Sequence, residues 1–359
     1  MTATAITRRR MLALMGGAAP ILFAGPSAFC AGDSAAKGLG IGMHSYGFHW
    51  RAGRENHPGA RFNDALTFLE YCHSLGAVGV QVAIGDHDTD YANKLRARAE
   101  TLGMYIEAQT NLPKDSSDVA RFEADVLSAR NAGAEMMRTA MLGGRRYETF
   151  DSVAAFAEFA EKSWQSLVLA EPVLRKHRLR LAIENHKDRR VPELLDLLKR
   201  IDSEYVGVCV DTGNNLALLE EPMGVVEALA PHAFSSHLKD MAVTEYESGF
   251  LLSEVPLGEG FLDLKQIVGT LRKASPGIHF NLEMITRDPL EIPCLTERYW
   301  TTMKQVPASD LAAGLKLVRQ NRSQKPLPKI SGLSFEQQLE SEDENVRKSL
   351  AYAHRNLGL

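Results

Sequence analysis

From Gly38 to about Pro293 the chain alternates short apolar runs with longer amphipathic stretches, and that alternation restricts the fold more than any other feature. The apolar runs have strand length and the stretches between them have helical spacing, so the repeat reads as strand–helix units. Expected strands are Gly40 to Tyr46, Val78 to Ile84, Met104 to Ala108, Glu135 to Met141, Leu179 to Glu184, Val206 to Asp211, Ala233 to Leu238 and Ile278 to Glu283. Between them lie helical patterns such as Asn63 to Leu75, Tyr91 to Leu102 and Val119 to Ala132, stopped by Gly76, Gly103 and Gly133. Ser152 to His177 reads as one or two helices with a kink or break at Pro172. Strands joined through helices pair in parallel, because each crossover returns the chain in the same direction. Eight of them give an expected (β/α)8 TIM barrel. An open doubly wound sheet is the runner-up, but no Gly-x-Gly-x-x-Gly turn follows the first strand.

The barrel is expected over residues 38–293, which leaves a C-terminal extension, 294–359, larger than the fold requires. Gln324 to Gly332 is rich in Pro and Lys and reads as a linker. Ser334 and Gln337 then form a capping-box pattern that opens a charged helix from Phe335 to about Asn356. This tail is a candidate clamp on the barrel, a candidate homo-oligomer contact or a cover for a site.

Residues 1–30 resemble a twin-arginine signal peptide: Arg8, Arg9 and Arg10, then a weakly apolar Met11 to Ala24, then small residues around Ala28. The expected compartment is periplasmic or secreted. No run of about 18 apolar residues follows, so no membrane span is expected after signal removal. The formal charge of −4 becomes about −7 once the three arginines leave, since residues 1–30 hold no acid. An acidic chain without clustered Lys and Arg argues against a nucleic-acid partner. Cys72, Cys209 and Cys294 have no motif spacing and read as core thiols.

The stretch Leu181-Ala-Ile-Glu-Asn-His-Lys-Asp188 carries the chemistry. A buried strand that ends in a carboxylate needs a cation, because an unpaired buried charge costs several kcal/mol. Asp211, His237 and Glu283 end three further strands in the same way. In a parallel barrel those ends converge on one face. Three carboxylates and one imidazole make a borderline-hard site for one divalent metal ion, Mn2+ first, with Co2+, Mg2+ and Zn2+ as alternatives. Lys239 should point inward beside His237 as a substrate anchor, or pair with Asp240. His186 is a substrate-binding candidate, as is Arg138, whose alternative is an interior salt bridge with Glu107. His44, Tyr46, Phe48 and Trp50 could wall a sugar site or pack in the core, and Gly258 and Gly260 shape a loop.

Ile183-Glu-Asn-His186, Val210-Asp-Thr-Gly213, His237-Leu-Lys-Asp240, Pro256-Leu-Gly-Glu-Gly260 and Asn281-Leu-Glu283 resemble the xylose-isomerase-like TIM barrels, the superfamily of sugar isomerases, epimerases and endonuclease IV. The resemblance implies that Glu184, Asp211, His237 and Glu283 bind one metal. It also implies that Glu184 and Glu283 face opposite sides of a substrate and exchange protons with it. Two departures stand out: Asn214 replaces a histidine that epimerases and the endonuclease carry, and no epimerase-type arginine follows His237. The expected activity is metal-dependent isomerisation or epimerisation of a non-phosphorylated sugar or keto-sugar by proton abstraction next to a carbonyl. The alternatives are a lyase or dehydratase acting on a 3-keto-glycoside or keto-cyclitol, and a non-catalytic sugar-binding protein.

Overall fold

The computed structural model describes residues 37–85 and 88–359; the expected signal peptide lies outside them. Eight parallel strands close a barrel in the order β1-β10-β7-β6-β5-β4-β3-β2. They are β1 (Leu39–Gly42), β2 (Gly79–Val82), β3 (Tyr105–Gln109), β4 (Met136–Thr139), β5 (Arg180–Glu184), β6 (Val206–Asp211), β7 (Ala233–Leu238) and β10 (His279–Leu282). Between β7 and β10 the chain inserts an antiparallel hairpin, β8 (Asp240–Tyr246) and β9 (Gly249–Val255), against which β11 (Leu290–Ile292) pairs. Closure of the sheet excludes the doubly wound alternative.

Strand periodicity decides what faces where. Val206, Val208 and Val210 of β6 join the aliphatic layer under the helices, as do Leu181 and Ile183 of β5. The alternate residues, ending in Asp211 and Glu184, therefore point into the barrel. That interior is polar. Glu107 of β3 accepts hydrogen bonds from Gln81 (2.9 Å), Ser235 (2.7 Å) and Asn281 (3.0 Å), and His279 lies 2.9 Å away. Burial pushes the Glu107 pKa up, and these partners outweigh it and hold the carboxyl below its usual range. Arg138 does not pair with Glu107; it reaches up to Glu184 instead.

Two local expectations are corrected. β1 stops at Gly42, and the chain turns through the 3-10 helix Met43–Tyr46 into the helix Gly47–Arg54. Tyr46 packs its ring against Phe62, Tyr71 and Phe68 at 5.7, 5.6 and 6.3 Å between centroids, so it belongs to the core and not to a sugar wall. The helix Val153–His177 runs unbroken through Pro172. Pro172 is exposed, and the carbonyl four residues earlier belongs to Val168, itself 43% exposed, so water can take the missing donor's place.

The C-terminal extension packs in two places. The helix Ala308–Gln320 lies over the hairpin, with Val318 in one apolar cluster with Val243, Phe250 and Leu252. The helix Phe335–Tyr352 opens with the expected Ser334–Gln337 capping box. Its Glu342 carboxylate accepts the backbone N–H groups of Phe48 (2.8 Å) and His49 (3.0 Å), capping the N-terminus of the first helix from 293 residues away. Cys72, Cys209 and Cys294 are buried free thiols, as expected. Among the described residues no helix is long and apolar enough to cross a membrane.

Candidate metal centre

Glu184, Asp211, His237 and Glu283 meet at the C-terminal mouth of the barrel, each buried, with one ligand atom apiece lying within 4.8 Å of the others. His237 Nδ1 stands 3.4 Å from Glu184 Oε2, 3.4 Å from Glu283 Oε2 and 3.8 Å from Asp211 Oδ2. His237 Nδ1 is buried without a hydrogen-bond partner, and Asp211 Oδ2 has only the Lys239 ammonium, 3.0 Å away. An imidazole nitrogen without a partner, facing three carboxylates across a buried gap, suits a cation between them, because an unsatisfied buried polar group is otherwise costly. The residues present therefore fit a single divalent ion with oxygen and imidazole ligands.

Side-chain hydrogen bonds extend the barrel ladder past the strand ends and fix these ligands. Asn185 brackets Asp211, donating from Nδ2 to its carbonyl and accepting its N–H at Oδ1, both at 2.8 Å. Thr212 does the same to Lys239 at 3.1 and 2.9 Å. Ser45 spans the β1–β10 seam, donating to Leu282 O and accepting from Met284 N at 3.0 Å each, which brackets Glu283. Asp211 Oδ1 also accepts the N–H groups of Gly213 (2.9 Å) and Asn214 (2.8 Å), a turn that leaves Oδ2 turned inward. His237 Nε2 is 2.7 Å from Gln81 Oε1, and a hydrogen bond there leaves the Nδ1 lone pair for a metal. Gln81 thus links the Glu107 hub below to the ligands above.

The predicted substrate residues are all nearby, in different roles. Lys239 does not pair with Asp240; its ammonium lies 2.6 Å from Glu283 Oε2 and 3.0 Å from Asp211 Oδ2. Burial lowers its pKa, but Asp211 and Glu283 outweigh that and raise it. Asp240 instead accepts the N–H groups of Gly258 (2.8 Å), Gly260 (3.0 Å) and Leu262 (3.2 Å), which shapes the loop as expected. Arg138 ion-pairs with Glu184, whose other oxygen accepts from Asn214 at 2.9 Å. His186 lines the adjoining cavity with Nδ1 unpartnered, and burial together with Lys187 and Arg138 keeps its imidazole neutral.

That cavity, about 570 Å³, opens beside the ligands, and Glu283 is the ligand that lines it. His44 also lines it and stands 3.1 Å from Glu283 Oε1. Sequence reasoning missed Lys187, Arg145 and Arg287 on its wall, and Glu254, which holds Arg287 by two hydrogen bonds of 3.0 and 2.5 Å. The position of Lys187 directly after the Glu-Asn-His run was the one available signal.

Comparison with known proteins agrees with the fold. The chain is 28% identical over 281 residues, 73% of its length and 92% of the relative's, to a 3-oxo-isoapionate decarboxylase of Pectobacterium atrosepticum. It superposes with a TM-score of 0.53 on a xylose isomerase-like TIM barrel protein from Mycobacterium smegmatis in complex with magnesium, 15% identical, covering 78% of this chain and 98% of that one. A D-psicose 3-epimerase from Clostridium cellulolyticum H10, solved with D-tagatose, gives a TM-score of 0.53 at 13% identity, covering 79% and 99%. Residues 69–305 match the model of one family, and with the closed barrel this establishes that the chain belongs to the xylose isomerase-like TIM barrel family.

Proposed function

We propose that this protein is a divalent-metal-dependent isomerase or epimerase that transfers a proton next to the carbonyl of a non-phosphorylated sugar or keto-sugar. The observation that carries this reading is the buried Glu184–Asp211–His237–Glu283 cluster opening onto a cavity through Glu283. When bound there, a divalent ion supplies a Lewis acid that polarises a carbonyl and acidifies the neighbouring C–H. Glu283 is the base. Burial raises its pKa, while His237 and Lys239 outweigh burial and hold it ionised, well below the usual carboxylate range. His44 and Lys239, at 3.1 and 2.6 Å, fix its two oxygens. A positioned base of this kind contributes about 10²–10⁴-fold. Glu184 is the second proton carrier, with Arg138 and Asn214 keeping its carboxylate oriented. The twin-arginine-like start favours a substrate outside the cytoplasm, where sugar phosphates are scarce.

The decarboxylase among its relatives favours a second reading, in which the same carbanion forms by loss of a carboxylate or expels a β-leaving group. Incubation with Mn2+, free ketoses, 3-keto-glycosides and a 3-keto sugar acid in D2O tests both. Solvent deuterium in an intact carbon skeleton supports the isomerase. Release of carbon dioxide or an aglycone supports the lyase. Binding without exchange or cleavage removes both and leaves a sugar-binding protein.

A further inference from the structure

The cavity wall is uneven in charge: Arg138, Arg145, Lys187 and Arg287 line it, against the single carboxylate of Glu283. Three of these cations have carboxylate partners: Arg138 has Glu184, Arg145 has Glu148 at 2.6 Å, and Arg287 has Glu254 at 2.5 Å. Lys187 has none among the described residues. It is 2% exposed, and its ammonium donates to the amide oxygen of Asn214. Burial lowers its pKa to about 7, and Lys239 and Arg287 push in the same direction. A buried ammonium held only by an amide oxygen is stabilised by an anion that arrives beside it.

The surrounding charges sharpen the point. With all of them ionised and His237 neutral as a ligand, Glu184, Asp211, Glu254 and Glu283 are matched in number by Arg138, Lys187, Lys239 and Arg287. A divalent ion in the cluster then leaves two positive charges. A neutral sugar offsets none of this, and its enolate offsets one. We propose that Lys187, with Arg145 and Arg287 beside it, forms a carboxylate subsite, so that the substrates are keto- or hydroxy-acids of the sugar series and not neutral sugars. A phosphate is the poorer occupant. Barrels of this type often bind phosphate on backbone N–H groups of the late loops. Here the N–H groups of Gly258, Gly260 and Leu262 are already taken by Asp240. The inference rests on the reading of this cavity as the substrate site.

Calorimetric titration of the Mg2+-bound protein at pH 7 with 5-keto-D-gluconate and L-sorbose tests it, since the two share a keto-hexose skeleton and differ in a terminal carboxylate against a hydroxymethyl group. The wild-type protein should bind the acid about tenfold or more tightly than the sugar, as charge-assisted hydrogen bonds predict. In Lys187→Gln the ratio should fall to about threefold or less, and in Arg145→Gln, a half-buried site away from Asn214, it should fall partway. The ratio carries the result, because a general loosening of the pocket moves both affinities together. Equal affinities in the wild type overturn the subsite, as does a preference that survives both substitutions. A carboxylate preference without any deuterium exchange would instead overturn the isomerase reading and leave the subsite standing.

Discussion

The two halves of this barrel end in opposite chemistry. The tips of β5, β6, β7 and β10 present Glu184, Asp211, His237 and Glu283, whereas the first four strands present Gln81, Gln109 and Arg138, with His44 in the turn after β1. The metal cluster is therefore displaced to one side of the mouth, and the open cavity lies largely over the first half, lined by Met43, His44, Gln109, Asn111 and Arg138. The second half concentrates negative charge for a cation, and the first supplies neutral and basic groups that a polar anion would meet together with Lys187 and Arg287 of the second. Glu283 stands at the seam, since β10 pairs with β7 on one side and with β1 on the other.

The division can be broken most severely at the seam. Glu283→Gln removes the proposed base while keeping the side chain's size, and deuterium exchange should fall about 10²–10⁴-fold. Full activity in that variant would end the assignment of Glu283. Arg138→Met tests the reach of the first half into the second, because it leaves Glu184 buried without its cation. Removing one partner of a buried pair costs about 3–5 kcal/mol, so urea denaturation of the metal-free variant should show a loss of that order. Added Mg2+ should recover part of it, and an undiminished midpoint without metal would show that Arg138 is not the compensating charge. Gln81→Leu removes the partner that orients His237, and Mg2+ affinity should drop about 10–100-fold, read by titration calorimetry.

A pH-dependent effect concerns the tail. Burial pushes the Glu342 carboxyl up to about 8, against the pull of the N–H groups of Phe48 and His49, with Asp343 adding to the rise. An unfolded glutamate titrates near 4.5, so the folded chain holds the extra proton between these values. Stability should then fall as pH rises from about 4.5 to 8, by up to about 1.4 kcal/mol per unit from this group. Glu342→Gln should flatten that slope in denaturation midpoints at pH 5.5, 7 and 8.5. An unchanged slope would show that the carboxyl is ionised throughout.

The second half was readable because its ligands interrupt apolar strands at or next to their last residue, where a charge has no structural excuse. The strand–helix alternation implies eight parallel strands, and the observed sheet decides between closure and an open doubly wound order. The first half gave weaker signals: Gln81 reads as an ordinary interior amide, and only its contacts with Glu107 and His237 reveal its position between hub and ligand. Lys187 looks solvated in a polar turn, and its burial depends on Asn214, a non-local neighbour. Glu254 and Arg287 come from the hairpin and from the segment after β10, where no periodicity marks an inward residue. Glu342 sits in a charged helical repeat, and its burial arises from packing against the first helix.

Titration of metal-free protein with Mn2+, beside the Asp211→Asn and His237→Ala variants, reaches the central claim most directly. One ion per chain in the wild type, with affinity lowered about 100-fold or more in both variants, is the expected result for ligands that meet at a single site. No saturable binding, or binding unchanged in either variant, would contradict it.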